Sequence, residues 1–426
     1  MSLPLVLLSG AALRLALPTL FPQITTVLAA TAEVSTPIDS FRSLKEAFFY
    51  LDHGIDVYDG AIVHHPPLFV TLMKLLNDAL PPPYNDFLFT ALYTALDVGI
   101  AYKLTQLNAW YNQHHSRKTG RTFEGASAGL VAAFYLFNPL LVLTNWAHST
   151  AVFTYFLVVE SLVQAVVDKN IYRGAMALGV ASYLSFNPIY MIAPYLALAY
   201  AVAPVRDWET QIVKTFVIFF FSVTSLLLVS FALYPSIDFL YSCYWSVISF
   251  EKITPNLGLW WYIFTEMFEF FSSLYKGIFN LYNFVFVVPF TLRFFEYASD
   301  KRTGDSFFAF ALCFLWISFS KSYPIIGDLG FSISLFPIFK NTVIPHAKFL
   351  SITTLMLITC LLLSPIFYYC WIVLGNGNSN FFYSMSLAWG VIHVLLFLDL
   401  IWGRLTFEYI ETNNVENVEK LRLSQI

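Results

Sequence analysis

Apolar runs long enough, or nearly long enough, to cross a bilayer recur from one end of the chain to the other, and they restrict its fold more than any other feature. They lie at residues 3–21, 87–107, 126–143, 150–167, 175–187, 189–202, 212–233, 278–295, 307–319, 325–339, 349–373 and 381–401. In hydrocarbon every backbone N–H and C=O must find a partner inside the protein, so such runs fold as helices. Several are shorter than the roughly 17 residues a span requires, which predicts tilted or enclosed helices inside a bundle. Only 12% of the 426 residues are charged and 58% are hydrophobic, against about 25% charged in a soluble domain. A net charge of −4 supplies no basic excess for nucleic acid. The expected class is an all-α polytopic membrane protein with about twelve transmembrane helices. A single bundle is expected over residues 1–402, followed by a polar tail at 403–426.

Basic residues set the expected orientation. With the N-terminus in the cytosol, 16 of the 23 Lys and Arg fall at cytosolic ends and loops, 6 fall opposite, and Arg14 stays within the first run. A positive-inside bias of that size assigns both termini to the cytosol. Two non-cytosolic segments, 22–86 and 234–275, are too long for turns. The first contains an amphipathic helix at 41–51 and a short apolar one at 67–80, ended by Pro81, Pro82 and Pro83. The second is rich in Trp and Phe and carries Glu266 and Glu269 on one helical face. Both suit the headgroup zone better than the hydrocarbon. Asn187-Pro188 divides one apolar stretch into a helical hairpin. Cys243, Cys313, Cys360 and Cys370 show neither zinc-site nor disulfide-framework spacing.

Four polar clusters adjoin the spans on that same non-cytosolic face. Asp52 to Gly60 with His64-His65 offers paired carboxylates for a cation or a general base, or else turn and cap residues. Residues 254–262 offer Trp260 and Trp261 as an interfacial anchor or as the lining of a headgroup site. At 321–328, Lys321 beside Ser322 and Tyr323 can receive a phosphate or simply snorkel. At 375–383, Asn376, Asn378, Asn380 and Ser379 can bond sugar hydroxyls or a phosphate at the mouth of a helix, or form a plain turn with an N-cap. No nucleophile–base arrangement and no Gly-rich phosphate loop is present. Asp97 and Glu160 are the chief charges within the spans, fewer than a coupled transporter usually shows.

At these clusters the sequence resembles the PIG-U family, the multispanning subunits of the glycosylphosphatidylinositol (GPI) transamidase of the endoplasmic reticulum. The resemblance rests on residues 254–269 (TPNLGLWWYIFTEMFE), on Lys321-Ser322-Tyr323-Pro324 with Gly327-Asp328, and on Asn378-Ser379-Asn380-Phe381-Phe382-Tyr383. Leu51-Asp52 with Gly54, Tyr58 with Gly60-Ala61, His65 with Pro67-Leu68, and Pro4 to Leu7 fit as well. It is weakest around His114 to Arg121.

The resemblance implies a non-catalytic subunit that binds and presents GPI, in a complex that joins the lipid to protein C-termini. Catalysis would belong to a Cys-protease-like partner, and membrane lipids and the other transamidase subunits would be the remaining partners. It implies a fold similar to GT-C mannosyltransferases, no cofactor and no metal. It assigns GPI contact to Asn378, Asn380 and Phe382, with Lys321, Tyr323, Trp260 and Trp261 beside them. The rival is a dolichol-phosphate-dependent mannosyltransferase, whose expected Asp-x-Asp here reads Ile38-Asp39-Ser40, as in a lost active site. A third possibility is a transporter or scramblase.

Overall fold

The computed structural model describes residues 2–60, 62–82, 84–202, 208–297, 303–413 and 415, and no strand occurs among them. Every predicted apolar run lies on a helix. Leu3–Leu20, Tyr84–Thr119, Trp208–Leu233, Leu350–Val373 and Ser379–Asn413 are each long and apolar enough to span alone. Ala128–Leu136 and Pro139–Trp146 form a sixth candidate, bent by 54°. Shorter apolar helices run over Ala151–Val166, Asn187–Val202, Ser306–Ser320 and Ile326–Phe339, and Ile171–Leu184 and Glu269–Arg293 fill the remaining predicted runs. The short helices are more deeply buried than the long ones. Ser306–Ser320 buries Phe307 through Leu315 in succession, whereas Trp208–Leu233 turns Phe216, Val217, Phe221 and Leu228 outward.

Several boundaries differ from expectation; the helix expected from residue 278, for example, starts at Glu269. The polar stretch after residue 107 continues the Tyr84–Thr119 helix until Gly120, whose φ of +72° ends it. At about 1.5 Å per residue, this 36-residue helix outruns the hydrocarbon and projects a polar stem. The 402/403 division likewise falls inside Ser379–Asn413, where Gly403 and Arg404 are buried. The remainder of the predicted tail from residue 416, with Lys420 and Arg422, lies outside the described residues, as do Arg206, Lys301, Arg302, Ala61 and Pro83.

The bend at Asn138-Pro139 leaves backbone groups to be satisfied by other means. Asn138 Oδ1 accepts from Leu140 N–H (3.1 Å), and Arg14 Nη1 donates to the freed Leu136 carbonyl (2.7 Å). Arg14 Nε lies 2.6 Å from Asp97, which also accepts from Tyr135 O–H (2.8 Å) and Asn145 Nδ2 (2.9 Å). Thus the one arginine of the first span locks three spans together and caps a broken helix.

Polar contacts sort the connecting segments into two ends. At one end, Tyr111 O–H donates to Asp305 (2.7 Å), Arg404 Nη1 lies 3.3 Å from the same carboxylate, His114 and Lys118 meet Glu296, and Arg121 meets Glu411. At the other, Thr150 N–H donates to Asp39 O (3.1 Å), Ile326 N–H to Glu33 O (2.9 Å) and Asn256 Nδ2 to Ser322 O (3.4 Å). The helices Phe41–Asp52, Pro67–Asp78 and Trp260–Glu266 lie at this second end.

Replacing either Arg14 or Asp97 by Leu leaves an unpaired buried charge and should lower stability by about 3–5 kcal/mol. The double replacement should recover part of that loss. Thermal unfolding of the purified chain in detergent reads both outcomes.

Candidate functional site

Three strings far apart in sequence build one surface at the second end. Asn256 organises the first of them. Its Oδ1 accepts from Gly258 N–H (2.7 Å), and its backbone carbonyl accepts from Ser386 Oγ (3.1 Å). Gly258 sits so close to Pro324 that a Cβ there would lie 2.8 Å from the proline ring. The tight approach carries residues 254–262 directly onto 321–324. Trp260 Nε1 then donates to Ser320 O (3.0 Å) and Trp261 Nε1 to Ser386 Oγ (3.3 Å). The Trp261 ring packs 5.7 Å from both Phe382 and Trp371.

Above this aromatic floor the surface becomes polar. Tyr262 and Tyr383 stack with centroids 4.0 Å apart and planes 14° from parallel. Tyr262 O–H donates to Asn380 Oδ1. Asn378 Oδ1 accepts from Asn380 N–H (3.1 Å), capping the Ser379–Asn413 helix. Asn378 and Asn380 are exposed, and both tyrosines are half-buried. Phe382, Trp260, Trp261 and Tyr323 are all buried. Of the residues singled out from sequence, the two asparagines therefore face outward and the aromatic ones form the wall behind them. Tyr323 O–H accepts from Lys252 N–H (3.1 Å), and its ring lies 5.0 Å from Phe250.

Lys321 is 8% exposed, too enclosed to snorkel. Its Nζ lies 2.6 Å from Asp328 and 3.8 Å from Asp39. Asp328 also accepts from Ile325 N–H (2.9 Å), as the third-position partner of a helix start, and from Tyr155 O–H (3.0 Å). Burial raises the Asp39 carboxyl to about 6, against the pull of the Lys321 ammonium. Burial works against the charge on Lys321, but its two carboxylate neighbours outweigh it and hold the ammonium above its ordinary value. A phosphate arriving at Lys321 would have to displace Asp328. Glu33 joins the same layer, accepting from Ser364 Oγ at 2.5 Å. Sequence reading did not single out Glu33, Tyr155 or Ser364, since nothing local marks them. Tyr262 and Tyr383 stood inside the recognised strings but carried no assignment of their own.

The Asp52–Gly60 cluster lies apart from this surface. Asp52 pairs with Lys74 (2.7 Å), and Asp56 accepts from Tyr58 N–H (2.9 Å) and from Tyr234 O–H. These carboxylates fasten loops.

The sequence matches the family model of PIG-U, described as GPI transamidase subunit PIG-U, over residues 8–389. It is 35% identical over 423 residues to the GPI transamidase component GAB1 of Saccharomyces cerevisiae, covering 99% of this chain and 98% of the relative. The GPI-anchor transamidase component PIGU of Mus musculus is 29% identical, with 90% and 89% covered. That of Homo sapiens is 28% identical, with 97% of each covered.

A carboxyl whose folded pKa lies above its unfolded value of 3.8 binds its proton more tightly in the folded state. Its contribution to stability is therefore greatest below that value and is lost as pH rises through about 6. Thermal midpoints of the purified chain should accordingly fall between those pH values, and Asp39→Asn should flatten that slope.

Proposed function

The chain belongs to the PIG-U family of GPI transamidase subunits, and from that premise we propose that it is the non-catalytic subunit that binds GPI and presents it to the catalytic partner. The carrying observation is the convergence of residues 254–262, 321–328 and 378–383 on one aromatic-backed surface rimmed by amides. The expected setting is the endoplasmic reticulum membrane, with that surface lumenal and both termini cytosolic.

The physics divides the ligand in two. Each buried lipid methylene contributes about 0.8 kcal/mol, but bulk bilayer gives the same, so acyl chains confer little selectivity. Discrimination belongs to the headgroup. Asn378 and Asn380 each carry amide donors and a carbonyl acceptor, the set that sugar hydroxyls require. Tyr262 and Tyr383 offer amphipathic ring surface beside them, and the first-turn amides of Ser379–Asn413 favour a phosphate. Trp260, Trp261, Phe382 and Tyr323 hold this rim in place from behind, and Lys321 fixes the segment that carries Tyr323. Holding the lipid's ethanolamine beside a partner's acyl intermediate would then accelerate transfer through proximity and orientation.

The mannosyltransferase alternative needs a free base in the first long loop. Asp39 is buried against Lys321 and Asp52 is bonded to Lys74, which supports the presenting role over it.

Asn378→Ala with Asn380→Ala should lower GPI attachment to a reporter protein while the complex still assembles. Asn378→Asp with Asn380→Asp keeps both carbonyl-type acceptors, and so the helix cap, while deleting the amide donors. It should lower attachment too. Normal attachment in both double variants would refute the assigned rim.

A further inference from the structure

A second concavity opens on the same end and shares no residue with the asparagine rim. It is an open basin between the first long loop and the second. Two cations enter it from different segments, Arg42 from the start of Phe41–Asp52 and Lys252 from the turn before the Trp260–Glu266 helix. Neither is within ion-pair distance of a carboxylate among the described residues. Glu46 lies one turn after Arg42 and faces the same basin, yet the two make no salt bridge despite their i, i+4 spacing. Two cations and an anion thus border one space without neutralising one another.

Two buried side chains add directional chemistry. Thr36 lines the basin, is 3% exposed, and its Oγ1 has no hydrogen-bond partner among the described residues. His64 lines it as well. Its Nδ1 donates to the Ser242 carbonyl (2.6 Å), and its Nε2 makes no hydrogen bond to a described residue. Burial holds that imidazole below its ordinary value, so the neutral ring presents Nε2 as an acceptor. Helix Phe41–Asp52, capped by Ser40, starts at the basin, and its N-terminal end favours negative charge there.

We propose that this basin binds a phosphoethanolamine headgroup. Arg42, Lys252, Thr36 and the helix start receive the phosphate, and Glu46 and His64 receive the ammonium. A bare anion would leave Glu46 repelling it, and a bare cation would leave Arg42 and Lys252 unanswered. A zwitterion answers both. The basin also adjoins the asparagine surface, since Ile38, next to the basin residue Pro37, packs in one cluster with Trp260, Tyr323 and Phe382. Phosphoethanolamine could come from the GPI glycan or from a phosphatidylethanolamine lipid, and only the first source rests on the presenting role proposed above.

The test is a titration of the full chain in phosphatidylcholine nanodiscs, with O-phosphoethanolamine and inorganic phosphate as soluble probes. The wild type should bind O-phosphoethanolamine more tightly than phosphate. Arg42→Gln with Lys252→Gln should weaken both probes by about tenfold or more. Glu46→Gln should weaken O-phosphoethanolamine while leaving inorganic phosphate bound as well as before or better. Competition from phosphatidylethanolamine placed in the nanodisc would identify the bilayer lipid as the source, and its absence would favour the glycan. Undiminished O-phosphoethanolamine binding in the Arg42/Lys252 variant overturns the proposal, as does equal weakening of both probes by Glu46→Gln. Either result would overturn the basin alone, because the role of the asparagine rim is read separately by GPI attachment in the Asn378 and Asn380 variants.

Discussion

Lys321 leaves the Ser306–Ser320 helix with its ammonium 2.6 Å from Asp328 and 3.8 Å from Asp39, and much of the second end is assembled around that contact. Ionisable groups withdrawn from water are costly unless paired and hydrogen-bonded. Here the Ile325 amide and the Tyr155 hydroxyl complete the shell of Asp328. The arrangement draws the first long loop onto the start of the Ile326–Ser334 helix and fixes Ser322 and Tyr323 next to it. Asn256 then reaches Ser322, and Tyr323 reaches the backbone of Lys252. The tryptophan string is thereby set against the asparagine string. The exposed rim depends on a buried charge that need not touch a ligand itself.

Much of the fold could be read from sequence because hydrocarbon leaves a chain so few options. An apolar run there must be helical, and each predicted run is. Polarity alone is a poor stop signal for these helices. Asn108, Tyr111, Asn112 and His115 are polar, yet they continue the Tyr84–Thr119 helix because no glycine or proline falls between Leu107 and Gly120. Asn138-Pro139 carries the same proline signal as Asn187-Pro188, and there the chain bends by 54° within a single apolar run. What that bend requires, an arginine from the first span donating to Leu136 O, has no local mark in the sequence.

The candidate surface was legible as strings but not as geometry. Residues 254–262, 321–328 and 378–383 stood out as polar and aromatic punctuation between spans. Which of their side chains face outward was not readable. Lys321 looks like an anion receptor until Asp39 and Asp328 are found beside it, and Asp39 belongs to the first long loop, far away in sequence. Conversely, Arg42, Glu46 and Lys252 look like ordinary surface charges, and only folding sets them around one basin without mutual pairing.

The central claim, that a glycolipid headgroup rests on the rim formed by Tyr262, Tyr383, Asn378 and Asn380, is tested most directly by site-specific photocrosslinking in membranes that synthesise GPI. A benzophenone side chain replacing Tyr262 or Tyr383 should capture mannose-labelled glycolipid. The same probe replacing Tyr409, which is 45% exposed near the opposite end, should not. Capture at Tyr409 with none at Tyr262 or Tyr383 would contradict it.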